Sequence, residues 1–251
     1  MFPYIESDHW RVRPFAMLVV IAIATGYLIG LKRLTRQGIA RERFSEVALS
    51  VTLGGLLGAH LLKLVYVPGA FVSALRHPLV FLAIGNGQAS FGAFVGALVS
   101  GLIFFWRRSI SVNQWFIYSD AGAFAVPFAW AIGRLGCYLV HDHPGLRTSS
   151  WLGVQYRGGN RFDLGLLEML FLLLLGCAFL LLDLRKWPRG FYCTAFLLCY
   201  GAFRWNLDQL HVDPPRYGRW SVDQIASSAM IVAGIACVIE MRRLKERHVP
   251  E

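Results

Sequence analysis

Charged residues, acidic residues and cysteine are all scarce in this chain of 251 residues, and each shortage excludes something. Asp, Glu, Lys and Arg together make up 16%, against about 25% in soluble globular proteins. That excludes an intrinsically disordered chain and a charge-laced coiled coil. Five cysteines over this length do not make a disulfide scaffold, where cysteine exceeds roughly 8–10%. Cys177, Cys193, Cys199 and Cys237 fall in apolar stretches and read as small buried residues, while Cys137 lies near a polar segment. Strong internal repeats and low-complexity tracts are lacking. The first apolar run has no small-x-small cleavage site after it, and Glu6 and Asp8 stand where a signal peptide is basic. It reads as an uncleaved helix.

Apolar residues are abundant: 56% of the chain is hydrophobic, with 18 Phe and 8 Trp, and the mean hydropathy is +0.49. A membrane span takes about 20 mostly apolar residues. Seven stretches qualify: 14–31, 44–66, 88–106, 115–133, 164–184, 190–208 and 222–241. The expected fold is an all-α polytopic membrane protein, one seven-span domain over residues 1–251. The net charge of +10 would point a soluble protein toward nucleic acid, but the basic residues are placed otherwise. Fourteen of the 25 fall in four short segments, 32–43, 107–108, 185–189 and 242–247, all on one side of a seven-span arrangement. Cytoplasmic loops are the basic ones. The C-terminus is therefore expected in the cytoplasm, the N-terminus outside, and a polar loop at about 134–163 facing outward. Nucleic acid is set aside.

Ionisable groups inside a span are expensive and point to function. They are His60 and Lys63 in the second span, Asp120 and Arg134 in or at the end of the fourth, Glu168 in the fifth, and Arg204 with Asp208 in the sixth. Snorkelling accounts for Asp183 and Glu240, near span ends, but not for Arg204, which is well inside. Asp208, one turn further along the same face, could supply its counter-charge. The densest polar stretch runs from Gly133 to Gly145. Its glycines allow close backbone approach, Arg134 offers a planar fork for phosphate oxygens, and His141 and His143 flank Asp142 with groups that titrate near neutrality. An anion clamp beside a base suits a group transfer that expels a phosphate. Zinc is set aside as an expectation, because the His-x-His pair is taken to have no Cys or third His nearby.

Several segments together resemble the prolipoprotein diacylglyceryl transferase family. They are Gly133-Arg134-Leu135-Gly136 with Gly145 nine residues on, Asp142 at an acidic position of that signature, Ser90-Phe91-Gly92-Ala93-Phe94-Val95-Gly96, Asp163 to Glu168, and Tyr200 to Arg204 with Asp208, Asp213 and Gln224. The resemblance spans about residues 11–245. Cys137 stands where the family usually has Asn, Phe15 where it has Tyr, Gly92 where many members have His, and His60 where Arg is common.

The resemblance implies a multi-pass protein of the bacterial inner membrane. The activity it implies moves the diacylglyceryl group of phosphatidylglycerol to the lipobox cysteine of a prolipoprotein signal peptide, with glycerol phosphate released. It casts Arg204 and Arg134 as phosphate clamps, and His141 or His143 as the base, with Asp142 orienting one of them. Gly136, Cys137, Gly145, Glu168 and Asp208 join Arg134 around the substrates, and no metal or organic cofactor is required. The alternatives are a lipid-binding or transport protein without chemistry, and a paralogue with another acceptor.

Overall fold

The computed structural model describes residues 5–7, 10–12, 14–66, 90–212 and 216–246, together with positions 72 and 76. Seven helices lie among the described residues: α1 (Pro14–Thr35), α2 (Arg41–Tyr66), α3 (Ser90–Arg107), α4 (Val112–Val140), α5 (Leu164–Leu182), α6 (Phe191–Asp208) and α7 (Val222–Glu246). Each coincides with one of the apolar stretches, to within a few residues at most ends. Five are long and apolar enough to cross a membrane: α1, α2, α4, α5 and α7. The apolar part of α3 is shorter, and the 18 residues of α6 include Arg204, Asn206 and Asp208. Many large apolar side chains point away from the protein, among them Val20, Leu28, Leu57, Leu174 and Val232. Water would not tolerate so extensive an apolar surface, whereas lipid does.

Short strands interrupt the all-α expectation. A hairpin of β1 (Ile5–Ser7) and β2 (Trp10–Val12) precedes α1. Between α4 and α5, β3 (Pro144–Arg147), β4 (Gly153–Tyr156) and β5 (Gly159–Asp163) form an antiparallel sheet in the order β3-β5-β4. A last pair, β6 (Arg216–Tyr217) and β7 (Trp220–Ser221), precedes α7. Segments of two to five residues carry too little periodicity to read as strands from sequence.

The described chain forms two compact units, residues 1–33 with 116–251, and residues 34–115. In the second unit α2 packs on α3 through glycine. A methyl group added at Gly58 would overlap the Gly92 carbonyl oxygen, and one at Gly96 would overlap that of Gly54 and stand 2.8 Å from the Gly58 Cα. Such contact between backbones is how helices associate where no hydrophobic effect drives them together. His60, 6% exposed, lies in this unit, and neither of its ring nitrogens has a partner among the described residues.

In the first unit, α4 carries buried Asp120, whose carboxylate caps a different helix. Its oxygens accept from the backbone N–H groups of Gly190 (2.6 Å) and Cys193 (2.9 Å) at the start of α6. Gly190 has φ +91 and is packed against Phe116, so a side chain there would be both strained and crowded. Asp183, expected to snorkel, accepts from Arg33 Nη1 and from the Tyr192 hydroxyl, each at 2.9 Å. Cys237 is buried as expected and Cys193 half-buried, but Cys177 and Cys199 are on the outer surface of their helices, and Cys137, expected near the polar segment, is buried. Facing lipid satisfies a thiol as well as facing a core does.

Candidate active site

Glu168 stands one turn into α5, with no exposed surface. Asp163 starts that helix as N-cap, its Oδ1 accepting from Leu166 N at 2.9 Å. Four donors converge on the Glu168 carboxylate. Oε1 accepts from the Tyr200 hydroxyl (2.6 Å) and Trp130 Nε1 (2.9 Å), and Oε2 accepts from Arg134 Nη2 and Arg204 Nη1, both at 3.0 Å. The second nitrogen of Arg204 reaches Asp223 Oδ2 on α7 at 2.6 Å. Arg134 extends Nη1 to Cys137 Sγ at 3.9 Å, and the Trp130 ring lies 5.5 Å from its guanidinium carbon. Its buried Nε has no partner among the described residues.

Two carboxylates thus balance two arginines drawn from other helices. A buried ion cluster of this kind is costly to assemble and still more costly to break. The expected pairing of Arg204 with Asp208 does not form. Asp208 is buried and accepts instead from Ser221 Oγ at 2.6 Å, tethering the start of α7, and its Oδ1 has no partner among the described residues. Glu168 and Asp223 take its place, each approaching the guanidinium from another helix. Ser221 and Gln224 form a reciprocal capping box, Gln224 N donating to Ser221 Oγ (3.0 Å) and Ser221 N to Gln224 Oε1 (3.1 Å). That cap holds Asp223 in place against Arg204. Asp213 lies outside the described residues.

The segment expected as an outward loop from position 134 is helical up to Val140, so Arg134, Gly136 and Cys137 belong to α4. Gly136 does not break the helix; it makes room for Phe15, whose Cδ2 an added Cβ would approach to 2.9 Å. Gly145 is where two chain segments meet. It bridges to His211, and a Cβ there would lie 2.8 Å from the Leu210 carbonyl and 2.9 Å from that of Phe162.

The histidines face different partners. His141 follows the last residue of α4 with φ 51, in the left-handed region that often closes a helix. Its Nδ1 lies 3.1 Å from Asp163 Oδ2, which also accepts from the Tyr156 hydroxyl at 2.6 Å. Burial and that carboxylate push the Tyr156 phenol above its ordinary value, so it remains a donor. His143 contacts the Asp142 carboxylate through Nδ1. Burial opposes its charge, but hydrogen bonds to Asp142 and Cys137 prevail and hold its pKa up at about 9. One donor atom each from Cys137, Asp142 and His143 lie within 4.8 Å of one another. This corrects the expectation that no cysteine stands near the His-x-His pair: Cys137, one helical turn before His141, does.

Asp163, Tyr156, Trp130, Asp223 and His211 were not expected at the site. Burial and the nearby Arg204 charge push His211 below its ordinary value, against the weaker pull of Asp223 and Asp208. Of these residues, Asp223 was within reach of sequence reasoning, since the Ser221-x-x-Gln224 box marks the helix start that carries it.

Five apolar, span-length helices mark a multi-pass membrane protein, and Arg134, Arg204, Glu168 and Asp223 form a buried, charge-balanced cluster in it. The chain belongs to the prolipoprotein diacylglyceryl transferase family, whose model it matches over residues 4–240. Among curated relatives, it is 24% identical to the phosphatidylglycerol–prolipoprotein diacylglyceryl transferase of Geobacter sulfurreducens, over 97% of this chain and 98% of that one. It is 26% identical to the enzyme of the same name from Chromohalobacter salexigens, over 94% and 88% of the two chains. For the Leifsonia xyli enzyme of that name the identity is 28%, over 95% and 76%.

Proposed function

We propose that this chain transfers the diacylglyceryl group of phosphatidylglycerol to the cysteine thiol of a prolipoprotein, in the bacterial inner membrane. All seven helices then span the bilayer, with the N-terminus outside and the C-terminus in the cytoplasm. The observation that carries this reading is the buried Arg134 Nε, unpartnered among the described residues, beside a second arginine, Arg204, that shares Glu168 with it. A buried donor without a partner costs about 1–3 kcal/mol. A lipid phosphate would satisfy it. The same phosphate can take Arg204 Nη2 from Asp223, whose side chain is 28% exposed and so can turn to water.

The reaction breaks the bond from the glyceryl carbon to the phosphate oxygen and joins that carbon to sulfur. The departing glycerol phosphate keeps the electron pair, and the two arginines stabilise the charge that develops on it. The thiol proton goes to a histidine. His141 suits this, because Asp163 facing Nδ1 holds the proton of the neutral ring there and leaves Nε2 as acceptor. Its side chain is 29% exposed and open to an incoming thiol. His143 lies two residues on, with its Nδ1 turned to the Asp142 carboxylate. Purified protein incubated with phosphatidylglycerol and a lipobox peptide should add the mass of one diacylglyceryl group to the peptide. An unchanged peptide with the lipid bound would instead indicate a lipid-binding or transport protein.

A further inference from the structure

We propose that Cys137, Asp142 and His143 form a site for a zinc-class divalent cation, whose open fourth position takes the acceptor thiol as a thiolate. The proposal rests on the transferase reading and adds to it the device that activates the nucleophile.

Sulfur, imidazole nitrogen and carboxylate oxygen together are a donor set typical of zinc. Zinc–sulfur bonds of about 2.3 Å and zinc–nitrogen or –oxygen bonds of about 2.0–2.2 Å, arranged as a tetrahedron, put donor atoms roughly 3.3–3.7 Å apart. The three donors of this site are within 4.8 Å of one another, so small side-chain rotations close it. Asp142, with its side chain 44% exposed, is free to make them. Cys137 is fixed from behind, since Gly165 on α5 leaves only enough room for its Cβ: a methyl at Gly165 would stand 3.2 Å from it. His143 Nδ1 already faces the Asp142 carboxylate, so two of the three donors are turned toward each other.

Three protein ligands leave one position open, which distinguishes catalytic zinc sites from closed structural ones. Alkylation of a thiol needs the thiolate, and a free cysteine with a pKa near 8.5 holds little of it at neutral pH. A thiol that coordinates the cation is deprotonated outright. Its proton passes to His141, the sulfur forms the new bond to the glyceryl carbon, and the carbon–oxygen bond breaks. The electron pair leaves with the phosphate, held at Arg134, which already touches Cys137 Sγ at 3.9 Å. The positive charge of that arginine is matched by Glu168 at 3.0 Å, so it does not stand against the cation uncompensated.

The test uses the full chain in detergent, stripped of metal and titrated with Co²⁺. We expect one cobalt per chain, a thiolate-to-cobalt charge-transfer band in the near ultraviolet, and its loss when Zn²⁺ is added. Cys137→Ser should abolish the band. Asp142→Asn changes an exposed side chain without threatening the fold. It should weaken cobalt by more than the roughly 10–100-fold that loss of a supporting group costs. A lipobox peptide should shift the band, and the same peptide with Ser for Cys should not. Absence of a band, an identical band in Cys137→Ser, or indifference to the cysteine peptide would each overturn the site as proposed. Full-rate lipidation in excess chelator would also overturn it while leaving the transferase reading standing. A cobalt band with no lipid transfer, with or without metal, would overturn the transferase reading and, with it, the cation's part in activating the thiol.

Discussion

Replacing Glu168 by Gln removes one charge and almost no volume from the place where four donors meet. The carboxylate accepts from two arginines through one oxygen and from Tyr200 and Trp130 through the other. An amide has one acceptor oxygen, so its NH2 group must face either the guanidiniums or the hydroxyl and indole. Turned toward the arginines, it sets donor against donor and leaves the second positive charge without its share of counter-charge. Breaking a buried ion pair by removing one partner costs about 3–5 kcal/mol. For a chain of this size, about 1 kcal/mol corresponds to roughly 2–4 °C in Tm. Glu168→Gln should therefore melt roughly 6–20 °C below wild type in detergent, followed by intrinsic fluorescence or by precipitation. Trp130→Phe is the control, since it removes one neutral hydrogen bond worth about 1 kcal/mol and keeps a ring beside Arg134. Added phosphatidylglycerol should raise the melting temperature of Glu168→Gln more than that of wild type, because the lipid phosphate replaces the missing charge. If Glu168→Gln melts within about 2 °C of wild type, the carboxylate is not what holds the two arginines.

Arg204→Lys keeps the charge but cannot reach Glu168 and a phosphate at once. Each charge-assisted hydrogen bond lost from the transition state is worth about 1.5–3 kcal/mol, so lipidation should fall roughly 10-fold or more, and a wild-type rate would end the clamp assignment. His141→Gln should cut transfer by about 10²-fold or more, the lower range for a lost general base. If transfer is unaffected, the proton goes elsewhere. Gly58→Val drives a side chain into the Gly92 carbonyl, and should sharply reduce recovery of monodisperse protein; normal recovery would mean that α2 and α3 need not touch there. The 32–43 loop is expected in the cytoplasm, so Gln37→Cys should resist an impermeant thiol reagent in intact cells. Gln37 serves better than Gly38, whose φ of +78 disfavours a side chain. Labelling from outside would reverse the orientation.

The seven helices were legible in the sequence because each contains an apolar run, and five of those runs are long enough to cross a membrane. Arg134, Glu168 and Arg204 were legible for the complementary reason: a charge inside an apolar run is costly enough to stand out singly. What each charge meets was not legible. Arg204 passes over Asp208, four residues along its own helix, and pairs with residues 36 positions before it and 19 positions after it. Asp163 reaches back 22 residues to His141 while capping α5, and Cys137 joins Asp142 and His143 only because α4 runs further than its apolar pattern suggests. Hydropathy is a property of segments and is written along the chain. Partnership between polar groups depends on which helices lie side by side and on where a helix ends, and packing of the whole chain decides both.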